Sequence, residues 1–297
     1  MALSPAYTIH QYREDIYKVV AFKGNRDPDK VYIRDREDNQ RNETKLDSNF
    51  SRARSMVLQY ALCNPWEYFF TGTLDQTKWR RDDLDTFMRD FSQKIRDWRK
   101  EYGFKLDVLL VPEKHKDGMW HVHGLINNLP YYYTSGFYWL PLPSLHMTPY
   151  PFKLCNGEFR SWPDFQDRYG YCSLARIRDP IATAYYVTKY IGKDIAQRER
   201  DLGKHLYFHS RPLKKAEKAS DVYLYNPGLD DLCTHEYDFC KTGMVQDAPW
   251  YFPYVWDGAE APEEAPLDPK PIQDPLKDFD PWTIDPFYEQ LKMETFQ

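Results

Sequence analysis

Apolar residues recur at spacings of three and four between positions 81 and 103, a pattern that predicts an amphipathic helix. The apolar positions are Leu84, Phe87, Met88, Phe91, Ile95 and Trp98. Acidic residues crowd the start of this stretch, basic residues crowd its end, and Gly103 follows, as is typical of helix termini. A second helix is predicted over 48–63, where Asn64-Pro65 ends the pattern.

Strand patterns lie between the helices. The aromatic and β-branched run WEYFFTGTLD (66–75) predicts a buried strand. FKLDVLLVPEKH and MWHVHGLINN are two further β-type runs, and the turn residues Asp117-Gly118 between them predict a hairpin. SWPDFQDRYG is predicted to contain a short helix and YCSLARI a strand.

Composition divides the chain into three predicted segments. Residues 1–62 form an N-terminal extension with a helix and short strands, in which YKVVAF and KVYIRD could pair across KGNRDPD. Residues 63–211 form the main domain, with a Pro/Tyr-rich insertion of little regular structure at about 129–160. Residues 212–297 form an acidic, partly flexible region whose stretch 258–288 is rich in proline.

Charge is unevenly distributed. Residues 212–297 hold 18 Asp and Glu against 7 Lys and Arg, whereas residues 1–211 hold 27 against 33. A basic body with an acidic tail is compatible with binding a polyanion. No run approaches the ~20 apolar residues of a membrane span, so no membrane association is expected. The start of the chain has no apolar signal segment, and the five cysteines include no CxxC pair. These features predict a reduced, cytoplasmic protein.

The sequence EKHKDGMWHVHGL contains two histidines that flank one valine. Successive side chains of a strand point to opposite faces, so His121 and His123 share a face. One interpretation is a pair of polar residues on a solvated sheet face, which a bare H-x-H pattern does not exclude. The other is a metal site that takes its third ligand from the neighbouring strand.

The turn decides whether Glu113 can be that ligand. A two-residue loop at Asp117-Gly118 would pair Glu113 with Val122 and place the carboxylate on the wrong face. A three-residue loop over 116–118 would pair Glu113 with His121, because glycine suits the left-handed position of such a loop. Cβ atoms of opposed residues then lie about 4.5–5.5 Å apart. His115 has the same parity and is a possible additional or substitute ligand.

The stretch 179–200 is predicted to be a helix, with Asp179 as N-cap and a proline at the first position. Tyr186 and Tyr190 are four residues apart, so both phenols emerge from one helix face. Lys189 and Lys193 each follow a tyrosine by three residues. The pattern also suits tyrosines that pack and lysines that are solvated. The alternative is chemical: an activated tyrosine hydroxyl can form a covalent intermediate.

Together these motifs resemble those of the HUH endonucleases, named for His–hydrophobe–His, and in particular the rolling-circle replication initiators. The resemblance rests on FFTGTL, on the glutamate followed by HVH, and on YYVTKYIGKD, and it covers roughly residues 66–195. YIGKD is similar to their nucleophile motif, and YVTKY is similar to the paired tyrosines of small phage initiators. No GxxxxGK[ST] helicase motif is present in the sequence.

The resemblance implies an α+β fold with a central antiparallel sheet flanked by helices. It implies that Glu113, His121 and His123 hold Mg²⁺ or Mn²⁺. Tyr186 or Tyr190 would attack single-stranded origin DNA, leaving a 5′-phosphotyrosine link and a free 3′-OH for a host polymerase. The remaining implied roles are an assisting one for Lys189 and Lys193 and a supporting one for Thr71 and Thr73.

The resemblance also implies partners and a setting. The expected partners are origin DNA and the replication machinery of a bacterial host, including its DNA polymerase and helicase, in the host cytoplasm. Alternatives are a mobilisation relaxase or transposase of the same superfamily, and a non-enzymatic DNA-binding replication protein. A histidine-triad nucleotide hydrolase is set aside because position 125, where its third alternate histidine would stand, is leucine.

Overall fold

The computed structural model describes residues 5–23, 38–103, 105–114, 119–129, 134, 155–191, 206–237, 240–246 and 270–272. The chain forms two compact units. The smaller unit comprises Met1–Arg41 and Lys214–Lys277, and the larger comprises Asn42–Leu213 and Asp278–Gln297.

The described helices and strands are numbered separately in chain order. The helices are α1 Asp38–Cys63, α2 Leu84–Tyr102, α3 Pro163–Arg168, α4 Pro180–Lys189 and α5 Pro227–Asp231. The strands are β1 Tyr7–Arg13, β2 Ile16–Phe22, β3 Tyr68–Leu74, β4 Asp107–Lys114, β5 Trp120–Asn127, β6 Cys155–Arg160, β7 Gly170–Ile177, β8 Phe208–His209, β9 Glu217–Val222, β10 His235–Glu236, β11 Cys240–Gln246 and β12 Lys270–Pro271.

The larger unit contains an antiparallel sheet of six described strands in the order β6-β7-β3-β5-β4-β8. Burial alternates along β3: Tyr68, Phe70 and Leu74 are buried, whereas Thr71 and Thr73 are half-buried on the opposite face. Nearly every residue of β4 and β5 is buried, as expected of central strands covered on both faces. The predicted α+β fold with a central antiparallel sheet is confirmed.

One face of this sheet is covered by α2 and α3. The apolar residues predicted along α2 are all buried in the main core, where Phe91 and Trp98 lie edge to face. Asp83 caps the start of α2 by accepting a hydrogen bond from the backbone N–H of Thr86, and Gly103 ends it in the left-handed conformation with φ of 70°. The amphipathic pattern therefore fixes both the limits of this helix and its buried side.

The opposite face of the sheet carries α4. The ring of Phe69 on β3 contacts the ring of Tyr186, with centroids 5.4 Å apart. Asp179 caps α4 by accepting from the backbone N–H of Ala182. Arg54 of α1 donates from Nε to the carbonyl oxygen of Ile191 at 2.9 Å, so α1 contacts the chain just after α4. Chemistry-bearing side chains on this face therefore meet a helix rather than bulk solvent.

The smaller unit also contains six described strands, with the path β10-β11-β2-β1-β9 and β12 paired to β11. Its core joins Tyr7 and Val19 to apolar residues of β9, β11 and α5. Strands from the two ends of the chain thus share one sheet, whereas the sequence analysis assigned 1–62 and 212–297 to separate segments. Hydrophobic patterning within each strand does not reveal such long-range pairing.

Several local predictions are wrong. YKVVAF does not form a hairpin with KVYIRD, because β2 pairs with β1 on one side and β11 on the other. Helix α1 begins at Asp38 rather than 48; its charged first part has good helix formers without apolar periodicity. Helix α4 ends at Lys189 rather than 200. The N–H of Ile191 bonds the carbonyl of Thr188, a tightened last turn, just before a glycine.

The predicted insertion at about 129–160 is only partly outside regular structure. Its last residues form β6, which adds to the sheet beside β7 with an irregular register. This pairing partner, and not the local composition, determines the strand. Residues 135–154 and the proline-rich stretch 258–288 lie outside the described residues, apart from 270–272. The short helix and the strand predicted in SWPDFQDRYG and YCSLARI are found as α3 and β7.

Candidate active site

The hairpin register brings a glutamate and two histidines to one sheet face. Glu113 of β4 is directly opposite His121 of β5, and Lys114 is opposite Trp120. This pairing leaves an odd number of connecting residues, as the three-residue loop requires, although 115–118 lie outside the described residues. Glu113, His121 and His123 are all buried, with exposed fractions of 5%, 1% and 4%.

Each histidine faces a threonine of the adjacent strand β3. Thr71 is opposite His123 and Thr73 is opposite His121. The Thr71 hydroxyl lies 3.3 Å from Nδ1 of His123, and the Thr73 hydroxyl lies 3.0 Å from Nδ1 of His121. Both threonines thus fix the orientation of an imidazole ring and leave its Nε2 atom directed away from β3.

The two Nε2 atoms have different partners. Nε2 of His123 lies 2.8 Å from a carboxylate oxygen of Glu113. Nε2 of His121 lies 3.4 Å from Nη2 of Arg81. Because a guanidinium has donors only, Nε2 of His121 accepts, and its proton is on Nδ1, which donates to Thr73. His121 is therefore held in the tautomer that presents a lone pair at Nε2.

Two tyrosines lie beside the histidines. The hydroxyl of Tyr190 donates to that of Tyr186 at 2.8 Å, and both side chains are buried. The ring of Tyr190 is stacked on that of His123, with centroids 3.9 Å apart and an interplanar angle of 11°. Phe69 contacts both tyrosine rings and His123. The four-residue tyrosine spacing therefore brings two hydroxyls together next to the Glu–His cluster.

Not every predicted site residue can be located. His115 and Lys193 lie outside the described residues. Lys189 is half-buried in the last turn of α4, one residue before Tyr190. Sequence reasoning missed Arg81 and Phe69: an arginine in a polar loop and a phenylalanine in an aromatic strand carry no pattern that distinguishes them. Their position relative to the histidines becomes evident only once β3 and β5 are paired.

The donor set suits a divalent cation. One carboxylate and two imidazoles are ligands for several divalent metals. Adjacent ligands of an octahedral ion with bonds of about 2.1 Å lie about 3 Å apart, and the 2.8 Å between Glu113 and His123 matches that separation. Within the part of the chain that the structure describes, no three His, Cys, Asp or Glu side chains form a ready metal cluster. The third nitrogen, Nε2 of His121, faces Arg81 instead.

An antiparallel sheet that carries a glutamate and two alternate histidines on one face, beside a helix ending in paired tyrosines, defines the class of rolling-circle replication initiators and is consistent with the HUH superfamily. Residues 67–195 match the model of a family described as replication-associated protein, of the ORF2 type. This part of the chain belongs to that family, and the protein is a replication initiator that interacts with DNA.

The match covers β3 through the tyrosine helix, which is the region that contains the site. Curated proteins and solved structures yield no match to the chain. None of the helices in the described ranges has the length and apolar character needed to cross a membrane.

Proposed function

We propose that the protein nicks and rejoins single-stranded origin DNA, as a metal-dependent endonuclease and strand transferase. The observation that carries this proposal is the stack of Tyr190 on His123. It brings a candidate nucleophile into contact with a candidate metal ligand. Paired hydroxyls on Tyr186 and Tyr190 support a strand-transfer reaction, because a second nucleophile is present while the first is occupied.

The proposed step is a transesterification. The hydroxyl oxygen of one tyrosine forms a bond to the phosphorus of the scissile phosphodiester, and the bond from phosphorus to the 3′ oxygen breaks. The tyrosine proton leaves and the 3′ oxygen gains one, so the products are a 5′-phosphotyrosine and a free 3′-OH. No water is consumed, and attack by a 3′-OH on the phosphotyrosine reverses the step and joins the strand.

Glu113, His121 and His123 would hold Mg²⁺ or Mn²⁺, which would supply Lewis-acid stabilisation of negative charge on the phosphate. Thr71 and Thr73 orient the two imidazoles through their Nδ1 atoms. The burial of this cluster strengthens electrostatic interactions within it. Lys189 and Lys193 would add positive charge near the phosphate or protonate the leaving oxygen.

Tyr190 is proposed to attack first and Tyr186 second. The ring of Tyr190 contacts His123, whereas the ring of Tyr186 contacts Phe69, one side chain further from the histidines. A tyrosine hydroxyl has an ordinary pKa of about 10, so charge stabilisation at the phosphate is needed for attack near neutral pH. The freed 3′-OH would serve as a primer for a host polymerase acting with a host helicase in the bacterial cytoplasm.

The test is formation of a covalent adduct with a pool of single-stranded DNA of random sequence in the presence of Mn²⁺, followed on denaturing gels. The wild type should form an adduct that EDTA prevents. Tyr186→Phe combined with Tyr190→Phe should abolish it, as should Glu113→Gln. Tyr185→Phe, one residue away on the same helix, is the matched control and should retain it.

Two results would refute the proposal. One is an adduct that persists in the double phenylalanine variant, since another residue would then be the nucleophile. The other is a wild type that binds single-stranded DNA without any adduct under these conditions, which would favour the non-enzymatic DNA-binding alternative. Sequencing the captured DNA would identify the preferred site.

A further inference from the structure

Arg81 lies at the active site without a role in the reaction described above. Its side chain is half-buried, and Nη2 lies 3.4 Å from Nε2 of His121. Its backbone carbonyl accepts from the N–H of Trp120 at 3.0 Å. This main-chain bond ties the loop after β3 to the first residue of β5, so the guanidinium is positioned beside His121 by the fold itself.

The contact with His121 has a chemical consequence. A guanidinium only donates, so it occupies the lone pair of Nε2. A metal ion needs that same lone pair, since a metal-bound imidazole nitrogen must be unprotonated. Arg81 and a metal ion therefore exclude each other at this atom. The guanidinium stays charged at any accessible pH, so once displaced it remains a cation next to the metal ligands.

A planar guanidinium matches the oxygens of a phosphate group in geometry and charge. The proposed substrate contributes a phosphodiester to this part of the site. We propose that Arg81 binds a phosphate of the single-stranded DNA, and that its guanidinium leaves Nε2 of His121 when a metal ion binds there. This inference rests on the proposed function for its substrate.

Arg80 supplies a matched control. It precedes Arg81 in the same loop, its guanidinium is exposed, and its Nη2 pairs with Asp82 at 3.0 Å. Replacing either arginine removes one positive charge from the same loop. Only Arg81 contacts a proposed ligand, so the difference between the Arg81→Ala and Arg80→Ala variants isolates that contact from the change in charge.

The first measurement is Mn²⁺ affinity without DNA, from the electron paramagnetic resonance signal of free Mn²⁺. Arg81→Ala should bind Mn²⁺ roughly two- to tenfold more tightly, the factor that corresponds to losing one competing hydrogen bond. Arg80→Ala should bind it as the wild type does. An Arg81→Ala affinity equal to or weaker than that of Arg80→Ala would overturn the exchange.

The second measurement is the salt dependence of single-stranded DNA binding with Mn²⁺ present. It uses the random-sequence pool and a Tyr186→Phe, Tyr190→Phe background to prevent cleavage. Loss of one phosphate contact should reduce the slope of log affinity against log salt by about 0.7 for Arg81→Ala and leave it unchanged for Arg80→Ala. Equal slopes would overturn the phosphate contact.

With both tyrosines restored and Mn²⁺ saturating, adduct formation by Arg81→Ala should be roughly 100-fold slower than that of the wild type. Arg81→Lys, which keeps a point charge, should be intermediate. If the wild type forms no adduct, the proposed reaction fails, while the Mn²⁺ and salt measurements still judge Arg81 separately. If Arg81→Ala does not fold, as circular dichroism would reveal, Arg81→Gln replaces it with the same expected directions.

Discussion

The ring of Tyr190 lies flat on the ring of His123, with centroids 3.9 Å apart. This contact joins the C-terminal end of α4 to the central strand β5. It also explains why Tyr190 is buried although it follows the last residue of its helix. A ring held against a rigid strand has few accessible rotamers, so the hydroxyl keeps a defined position relative to Glu113 and the histidines.

The threonines of β3 should control metal affinity. Thr71→Val and Thr73→Val keep the side-chain shape but remove the hydroxyl that faces Nδ1 of His123 or His121. Because such outer contacts orient a metal ligand, each change should weaken Mn²⁺ binding by roughly 10- to 100-fold. Isothermal titration calorimetry of the DNA-free protein measures this directly.

Two further variants separate orientation from simple destabilisation. Thr71→Ser and Thr73→Ser retain the hydroxyl and should restore most of the Mn²⁺ affinity. Thr8→Val removes a buried-strand threonine hydroxyl from the smaller unit, where it donates to Asp221, and should leave the affinity unchanged. Valine variants that bind Mn²⁺ like the wild type would show that these hydroxyls do not orient the ligands.

Gly124 should be indispensable for the hairpin that carries the histidines. A Cβ atom at this position would lie 2.1 Å from the carbonyl oxygen of Leu109 and 2.7 Å from Cδ2 of Leu110. Because the obstruction includes backbone of the paired strand, Gly124→Ala should lower the free energy of unfolding by roughly 3 kcal/mol or more. Denaturant unfolding measures the change.

Gly103→Ala is the control for that prediction. No atom lies within 4 Å of its added Cβ, and the only penalty is the left-handed backbone with φ of 70°, which costs about 1–2 kcal/mol. Gly124→Ala should therefore be the more destabilising of the two. The reverse order would mean that β4 and β5 separate easily, which is incompatible with a fixed Glu113–His121 pair.

The pair of Asp90 and Arg168 should make stability depend on pH. The two hydrogen bonds from Arg168, at 2.9 and 2.6 Å, hold the pKa of the Asp90 carboxyl below its usual value, and Tyr169 adds a third bond. A depressed pKa in the folded state stabilises the protein above the unfolded value of about 3.9. That contribution is lost as the pH falls through the folded value.

Asp90→Asn should thus cost about 1 kcal/mol at neutral pH, a figure that allows for partial exposure of the pair. The difference from the wild type should shrink as the pH falls below about 4. Urea unfolding at several pH values tests this, with the exposed Asp167→Asn as the control. A difference that stays constant down to acidic pH would argue against the carboxylate as its origin.

The sequence alone predicted the parts of the site that follow from local periodicity. Strand parity placed His121 and His123 on one face, and an odd connecting loop placed Glu113 opposite His121, as the register confirms. The four-residue spacing placed Tyr186 and Tyr190 side by side, as their hydroxyl contact confirms. Both inferences need only the geometry of a single strand, turn or helix.

Features that depend on distant pairing were not accessible in this way. Arg81 reaches His121 only because its loop bonds the start of β5. The sheet of the smaller unit joins β1 and β2 to β9 and β11, which come from the other end of the chain. Local hydrophobic patterns give each strand but not its neighbours, and proline-rich composition did not reveal β6 at the end of the predicted insertion.

The most direct test of the central claim is peptide mass spectrometry of the protein–DNA adduct after nuclease and protease digestion. A nucleotide carried on Tyr190 in the first turnover, and on Tyr186 only in Tyr190→Phe or after a second cleavage, is the predicted result. Modification of any other residue, or none in a protein that has cleaved DNA in the presence of Mn²⁺, would contradict the account.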